Sequence, residues 1–176
     1  MKKTLILVAL ILVVSTSILA GTLAMYTTNI DNLAQGNVVA KEFILTEGGT
    51  DTFLTNVKIA PSETVNWQFS VKNYNGSIIS ETAMGLDFDV KALAADGKTV
   101  IAPLVITVKD ENGQTVGTVT GSGDIRFDDE FALNVQGQEK VYTVSVNWPA
   151  DGASDINYAG ASFGTAVRVS VTGTQK

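Results

Sequence analysis

The residue types on which most enzymes rely are missing from this chain. Its 176 residues include no histidine and no cysteine. A Ser–His pair, a thiolate nucleophile and a histidine-ligated zinc site therefore cannot be assembled. Carboxylates remain, and the densest set lies in "GSGDIRFDDEF", with Asp124, Asp128, Asp129 and Glu130. Their oxygens could ligate calcium. The spacing is not that of an EF-hand, however, and a solvated loop between strands is the stronger reading. "KDENGQTVG" (Lys109 to Gly117) has the look of a calcium loop as well. It is better read as a hairpin turn, because Asn112-Gly113 suits a left-handed backbone. Trp67 and Trp148 could stack on a sugar, but each stands in an alternating apolar row and reads as core. "NGS" at 75–77 matches a glycosylation acceptor at low specificity. The expectation is a protein with no catalytic, cofactor-binding or metal-binding residues, and not an enzyme.

The elements around these residues alternate with period two. In "TVNWQFSVKN", Val65, Trp67, Phe69 and Val71 share one face. Leu86, Phe88 and Val90 do so in "GLDFDV", Tyr142, Val144, Val146 and Trp148 in "KVYTVSVNW", and Val167, Val169 and Val171 in "AVRVSVT". Such alternation marks strands buried on one face of an antiparallel sheet. Turn signals separate them: "EGGTD" at 47–51, "APSE" at 60–63, "ADGK" at 95–98, "DENGQ" at 110–114, "VQGQE" at 135–139 and "PADGASD" at 149–155. No amphipathic helix follows the N-terminal region. The predicted fold is all-β, an antiparallel two-sheet sandwich of jelly-roll-like form, preceded by an N-terminal signal helix.

The N-terminus has a different character. Lys2 and Lys3 precede "LILVALILVV" (Leu5 to Val14), and small residues follow Ser15, Thr16 and Ser17. A charged start, a short apolar middle and a small-residue end describe a secretory signal peptide. A spanning helix would need about 20 apolar residues. Signal peptidase pockets accept small side chains at the last and third-last positions, and Thr22 and Ala24 supply that pair. A cut after Ala20 would force Ile18 into the third-last pocket. Cleavage is expected after Ala24, with Met25 as the new N-terminus; retention as an uncleaved anchor is the lesser alternative. The domain reading is a signal peptide at 1–24, a polar segment at 25–36 and a β-sandwich at 37–176.

The whole chain carries a formal charge of −6. Loss of residues 1–24 removes two lysines and no acid, so the remainder is more acidic still. That excludes nucleic acid, which demands clustered Lys and Arg, and adhesion to anionic lipid. Without cysteine, an exported domain must be stable without disulfides.

"GTLAMYTTNIDNLAQGNVVAKEFIL" resembles the start of the TasA/camelysin family of secreted, biofilm-matrix fibre-forming proteins. Their precursors place a T-x-A cleavage site before an aromatic, then a polar stretch, then a glycine opening the first strand. Here these are Thr22-Leu23-Ala24, Tyr26, the stretch from Thr27 to Gln35, and Gly36. "IAPSETVNWQFSVKNYNGSIISETAMGLDFDV" is similar to the family's Pro-containing turn, alternating strand, N-x-G-S corner and second strand. "YTVSVNWP…VRVSVTGTQ" resembles its closing strands. The chain departs from the family's best-known matrix fibre member in lacking a long middle insertion and a charged C-terminal tail. Thr27 or Thr28 stands where an acidic residue is usual.

The resemblance implies secretion to the extracellular matrix or cell surface, and cutting by a dedicated SipW-like signal peptidase. It implies a head-to-tail homopolymer, with minor fibre or anchor proteins as further partners. The segment after the cut is then similar to a donor strand that completes a sheet in the next subunit. Tyr26, Thr28 and Ile30 would share one face with Asn32, and Leu33 would lie on the other with Thr27, Asn29 and Asp31. Tyr26 and Ile30 are the expected anchors. The alternatives are a monomeric cell-surface Ig-like binding module and, less favoured, a camelysin-type metallo-endopeptidase. The peptidase would need an all-carboxylate zinc site, which zinc rarely adopts.

N-terminal sequencing of the exported protein should begin at Met25. Ala24→Arg should obstruct the small pocket and leave a membrane-held precursor; a start at Gly21 would overturn this placement.

Overall fold

A computed structural model describes residues 2–22, 38–150 and 154–176, the side chains of the first segment as far as residue 13. The chain forms two compact units, Met1–Val39 and Ala40–Lys176. The first contains a single described element, the helix α1 (Lys2–Thr22). Its run of Leu, Ile, Val and Ala contains no glycine or proline before Gly21, so nothing interrupts backbone hydrogen bonding. Leu5 to Leu7 and Leu10 to Val13 are exposed. Among the described residues, no helix is long and apolar enough to cross a membrane.

The second unit is β-structure with one short 3₁₀ turn, Asp155–Tyr158. Its strands are β1 (Thr46–Asp51), β2 (Thr64–Lys72), β3 (Tyr74–Asn75), β4 (Ile78–Ile79), β5 (Met84–Ala94), β6 (Val105–Lys109), β7 (Thr115–Thr120), β8 (Gly123–Phe131), β9 (Glu139–Asn147) and β10 (Thr165–Gln175). They make a five-stranded sheet in the order β1-β2-β9-β6-β7, a three-stranded sheet β10-β5-β8, and the hairpin β3-β4. Every strand pairing is antiparallel. The four alternating stretches read from the sequence lie in β2, β5, β9 and β10.

Both sheets contribute to one interior. Val90 and Ile125 of the smaller sheet are buried with Ile106, Val108, Val144 and Val146 of the larger. A second cluster joins Val71 and Tyr142 to Met84, Leu86, Phe88 and Phe131. Between the clusters, aromatic rings cross from sheet to sheet. Phe88 stacks on Phe127 at 4.6 Å within the small sheet and meets Tyr142 of the large sheet at 4.7 Å. Phe69 stacks on Tyr142 at 5.2 Å. Offset and tilted rings of this kind add to the area they bury. Trp148 is buried, and Trp67, partly buried, packs against the core.

One turn assignment and one loop assignment need correction. "EGGTD" lies within β1 rather than in a turn. Its glycines permit close approach instead: a Cβ at Gly48 would collide with the side chains of Ser70 and Glu139. Glu139 accepts from the Gly49 N–H at 2.9 Å and from Ser70 Oγ at 2.6 Å, and Ser70 Oγ accepts from the Thr50 N–H. These bonds pin β1 to the edge of β2, with a register slip between Glu47 and Asp51. The acidic stretch Asp124–Glu130 is strand β8 rather than a loop. Its period-two pattern was hidden because an acid, Asp129, occupies an inward position.

Phe88→Ala should cost roughly 3–5 kcal/mol, measured by chemical denaturation, because a buried ring that contacts both sheets would leave a cavity. Ile78→Ala at the exposed hairpin should stay within about 0.5 kcal/mol.

Candidate functional site

Antiparallel sheets that are not closed into barrels have edges, and each edge presents unpaired N–H and C=O groups that can recruit another strand. This fold has four main edges, and three are blunted. β1 is short, bulged and carries Glu47 and Asp51. β7 slips in register against β6 and lies alongside β8 where the two sheets meet. β8 points a charge inward at Asp129, a device that opposes further pairing.

Asp129 also ties the two sheets together. Its Oδ1 accepts from Lys140 Nζ at 2.8 Å and from the Glu130 N–H at 2.7 Å. Its Oδ2 accepts from the Tyr142 hydroxyl at 2.6 Å. Partial burial opposes the charge, but these donors together outweigh it and hold the carboxyl below its ordinary pKa. The Tyr142 phenol is pushed well above its ordinary value, first by burial and then by the Asp129 carboxylate that it bonds. Asp110, Glu111 and Asn112 line the same small polar hollow. Asp110 Oδ1 is already engaged by the Asn112 and Gln114 N–H groups of the β6–β7 turn. Among the described residues, no group of three or more His, Cys, Asp or Glu side chains could hold a metal ion. The four acids of the sequence stretch alternate faces along β8, with Asp129 inward and Asp124, Asp128 and Glu130 outward.

β10 is different. It is 11 residues long and pairs with β5 without a register slip from Thr165↔Ala94 to Gln175↔Met84. Arg168 is its one charged residue, and it points outward. The inward residues Val167, Val169 and Val171 are only partly buried. Among the described residues no strand pairs with the other side of β10, so every second residue turns its N–H and C=O away from β5. The large sheet is wider on this side, and Phe53, Trp67 and Phe69 are likewise partly buried there. Phe53 stacks on Trp67 at 5.1 Å. The opening is bounded at both ends. Thr99 bridges Phe163 and the Ile101 N–H donates to Thr165 Oγ1 at one end. At the other, Leu45 stands against Gly173, where a Cβ would lie 2.9 Å from Leu45 Cδ2. An extended segment laid beside Ala166–Thr172 would find free backbone groups and a half-covered apolar floor.

Of the residues singled out in the sequence, Thr22 is the last residue of α1. Ala24, Met25, Tyr26, Thr28, Ile30 and Leu33 lie outside the described residues. Asn112-Gly113 forms the β6–β7 hairpin turn, with Gly113 at φ 77°. Asn75 of the "NGS" stretch sits on the small β3–β4 hairpin. The open edge of β10 is the feature that sequence reading missed. Its valines were legible, but their place at the margin of a sheet was not.

The Asp129 anchor gives a pH dependence of known sign. A carboxyl whose folded pKa lies below its unfolded value stabilises the fold above that unfolded value, and the contribution is lost as pH falls through the folded pKa. Asp129→Asn should therefore melt below the parent protein near neutrality, and the gap should narrow as pH falls below the ordinary carboxylate range. A gap independent of pH in thermal scans would overturn this account.

No protein-family model matches the chain, and no curated protein matches it.

Proposed function

We propose that this is a secreted structural protein of the TasA/camelysin type, which polymerises into extracellular or cell-surface fibres by donating its N-terminal strand to the neighbouring subunit. The open edge of β10 carries this reading. In a jelly roll, an eight-stranded pair of sheets, the first strand flanks the last. Counting the eight long strands, the sheets β2-β9-β6-β7 and β10-β5-β8 follow that order, while β1 is held on the other sheet beside β2. Among the described residues no strand takes the place beside β10, and this reading gives that place to a strand from another copy.

The occupant in this reading is the segment from Met25 to Gln35, freed when signal peptidase removes the helix that ends at Thr22 and the residues to Ala24. Tyr26, Thr28 and Ile30 would face the floor formed by Val167, Val169 and Val171, while the backbone completes the ladder. Because the donor strand and the acceptor edge are different surfaces, the contact does not close on itself and propagates as a filament. The partners are other copies of the same chain, with signal peptidase during export and minor fibre or anchor proteins at the ends. No step of this function requires a cofactor or catalysis.

A chain starting at Gly36 should fold and remain monomeric by electron microscopy, while the chain starting at Met25 forms filaments. Ile30→Asp should block assembly nearly as well, since an unpaired carboxylate in an apolar pocket is costly or must take up a proton. Fibres from the Gly36 chain at the same concentration would reject strand donation. Monodisperse particles from the Met25 chain would favour the binding-module alternative.

A further inference from the structure

The unit from Ala40 to Lys176 receives its chain at one end of the sheets. There the Glu42 N–H donates to Glu81 Oε2, and the Glu81 N–H donates to the Glu42 carbonyl. At this entry end β2, β8 and β10 finish and β5 and β9 begin. At the far end β2, β8 and β10 begin, and the loops 52–63 and 154–164 gather. The Ser62 N–H donates there to the Trp148 carbonyl, and Trp148 Nε1 donates to Asp155.

The large hydrophobic side chains that this unit exposes fall at the two ends and not on the sheet faces, among the described residues. Phe43, Ile78, Leu133 and Val135 stand at the entry end, with Leu133 64% and Val135 90% exposed. Leu54, Val57 and Ile156 stand at the far end, with Leu54 68% and Ile156 76% exposed. The loop bearing Leu133 and Val135 is braced, not free. The Asn73 N–H donates to the Gln138 carbonyl, and the Gln138 N–H donates to Asn73 Oδ1, with Asn73 itself buried. Exposed apolar side chains carried on a braced surface present a face that a partner could cover.

We propose that the entry end of one copy packs on the far end of the next, so that Leu133 and Val135 are covered by the surface bearing Leu54 and Ile156. This rests on the strand-donation reading, and chain direction selects the pairing of ends. β10 runs from the far end to the entry end, so an antiparallel strand beside it runs the opposite way and leaves at the acceptor's far end. The donor's own unit begins a few residues later, at its entry end. Connectivity thus brings together the two surfaces that carry the exposed apolar side chains. The contact is heterologous, so it repeats along a filament. Strand donation supplies the tether and the end surfaces set how successive units stack.

The test is filament growth by the chain starting at Met25 carrying Leu133→Asp and Val135→Asp together. Both side chains are exposed, so its melting temperature should match the parent's before assembly. The concentration needed for growth should rise about tenfold or more. A peptide spanning Met25 to Gln35 should still bind the Gly36 chain carrying the same two substitutions, which separates this contact from the acceptor edge. Adding Leu54→Lys and Ile156→Lys to the same chain should restore growth by opposing the new charges. Growth of the double aspartate variant at the parent's concentration would overturn the end contact. Failure of the two lysines to restore growth would overturn the pairing of these ends. Loss of peptide binding to the unsubstituted Gly36 chain would instead strike at strand donation.

Discussion

A five-stranded sheet cannot be covered by a three-stranded one, and that mismatch governs the rest of this structure. Where β7 and β8 meet, the two layers close upon each other. On the opposite side the small sheet stops at β10, while the large one continues through β2 to β1. Two kinds of incomplete interaction coincide at that margin. Among the described residues no strand pairs with the outer side of β10, and Phe53, Trp67, Val167, Val169 and Val171 are only partly removed from water. Either alone would be ordinary. Together they describe a surface that one added strand would complete.

The mismatch is maintained by a few polar contacts. Glu139 and Ser70 bind the N–H groups of Gly49 and Thr50, and Gly48 allows the close approach that this requires. The Glu139 carboxylate is held below its ordinary pKa by the Ser70 hydroxyl first and the Gly49 N–H next. β1 is thereby held beside β2 and away from β10. At the other margin, Asp129 serves a related purpose: an inward charge satisfied by Lys140 and Tyr142 blunts β8 as a pairing edge. One edge of the small sheet is thus protected by chemistry, and among the described residues the other carries no inward charge.

A domain without cysteine must draw its stability from packing and hydrogen bonds. The interlocked rings of Phe69, Phe88, Phe127 and Tyr142 supply a dense centre that both sheets share. In a strand-donating assembly, each subunit would gain further burial from its neighbour, so the filament would be more stable than the unit alone. An incomplete sheet is a liability for a monomer, because the same edge that accepts a specific donor also invites non-specific pairing.

Much of this was legible in the residues themselves. Alternation along Val65–Val71, Leu86–Val90, Tyr142–Trp148 and Val167–Val171 declared antiparallel strands with one buried face, because side chains on a strand alternate by geometry. The absence of His and Cys removed whole classes of chemistry before any fold was known. Two elements were misread for identifiable reasons. The glycines of "EGGTD" looked like a turn because propensity is local, whereas their use is to let β1 approach Ser70 and Glu139 from distant parts of the chain. Asp129 broke the apolar pattern of β8 because its partners, Lys140 and Tyr142, lie on another sheet. The open edge was beyond reach for the same reason. Periodicity tells which face of a strand is buried, but which strand stands last in its sheet is decided by pairings between residues far apart in the chain. For β10, only the tertiary structure made that decision.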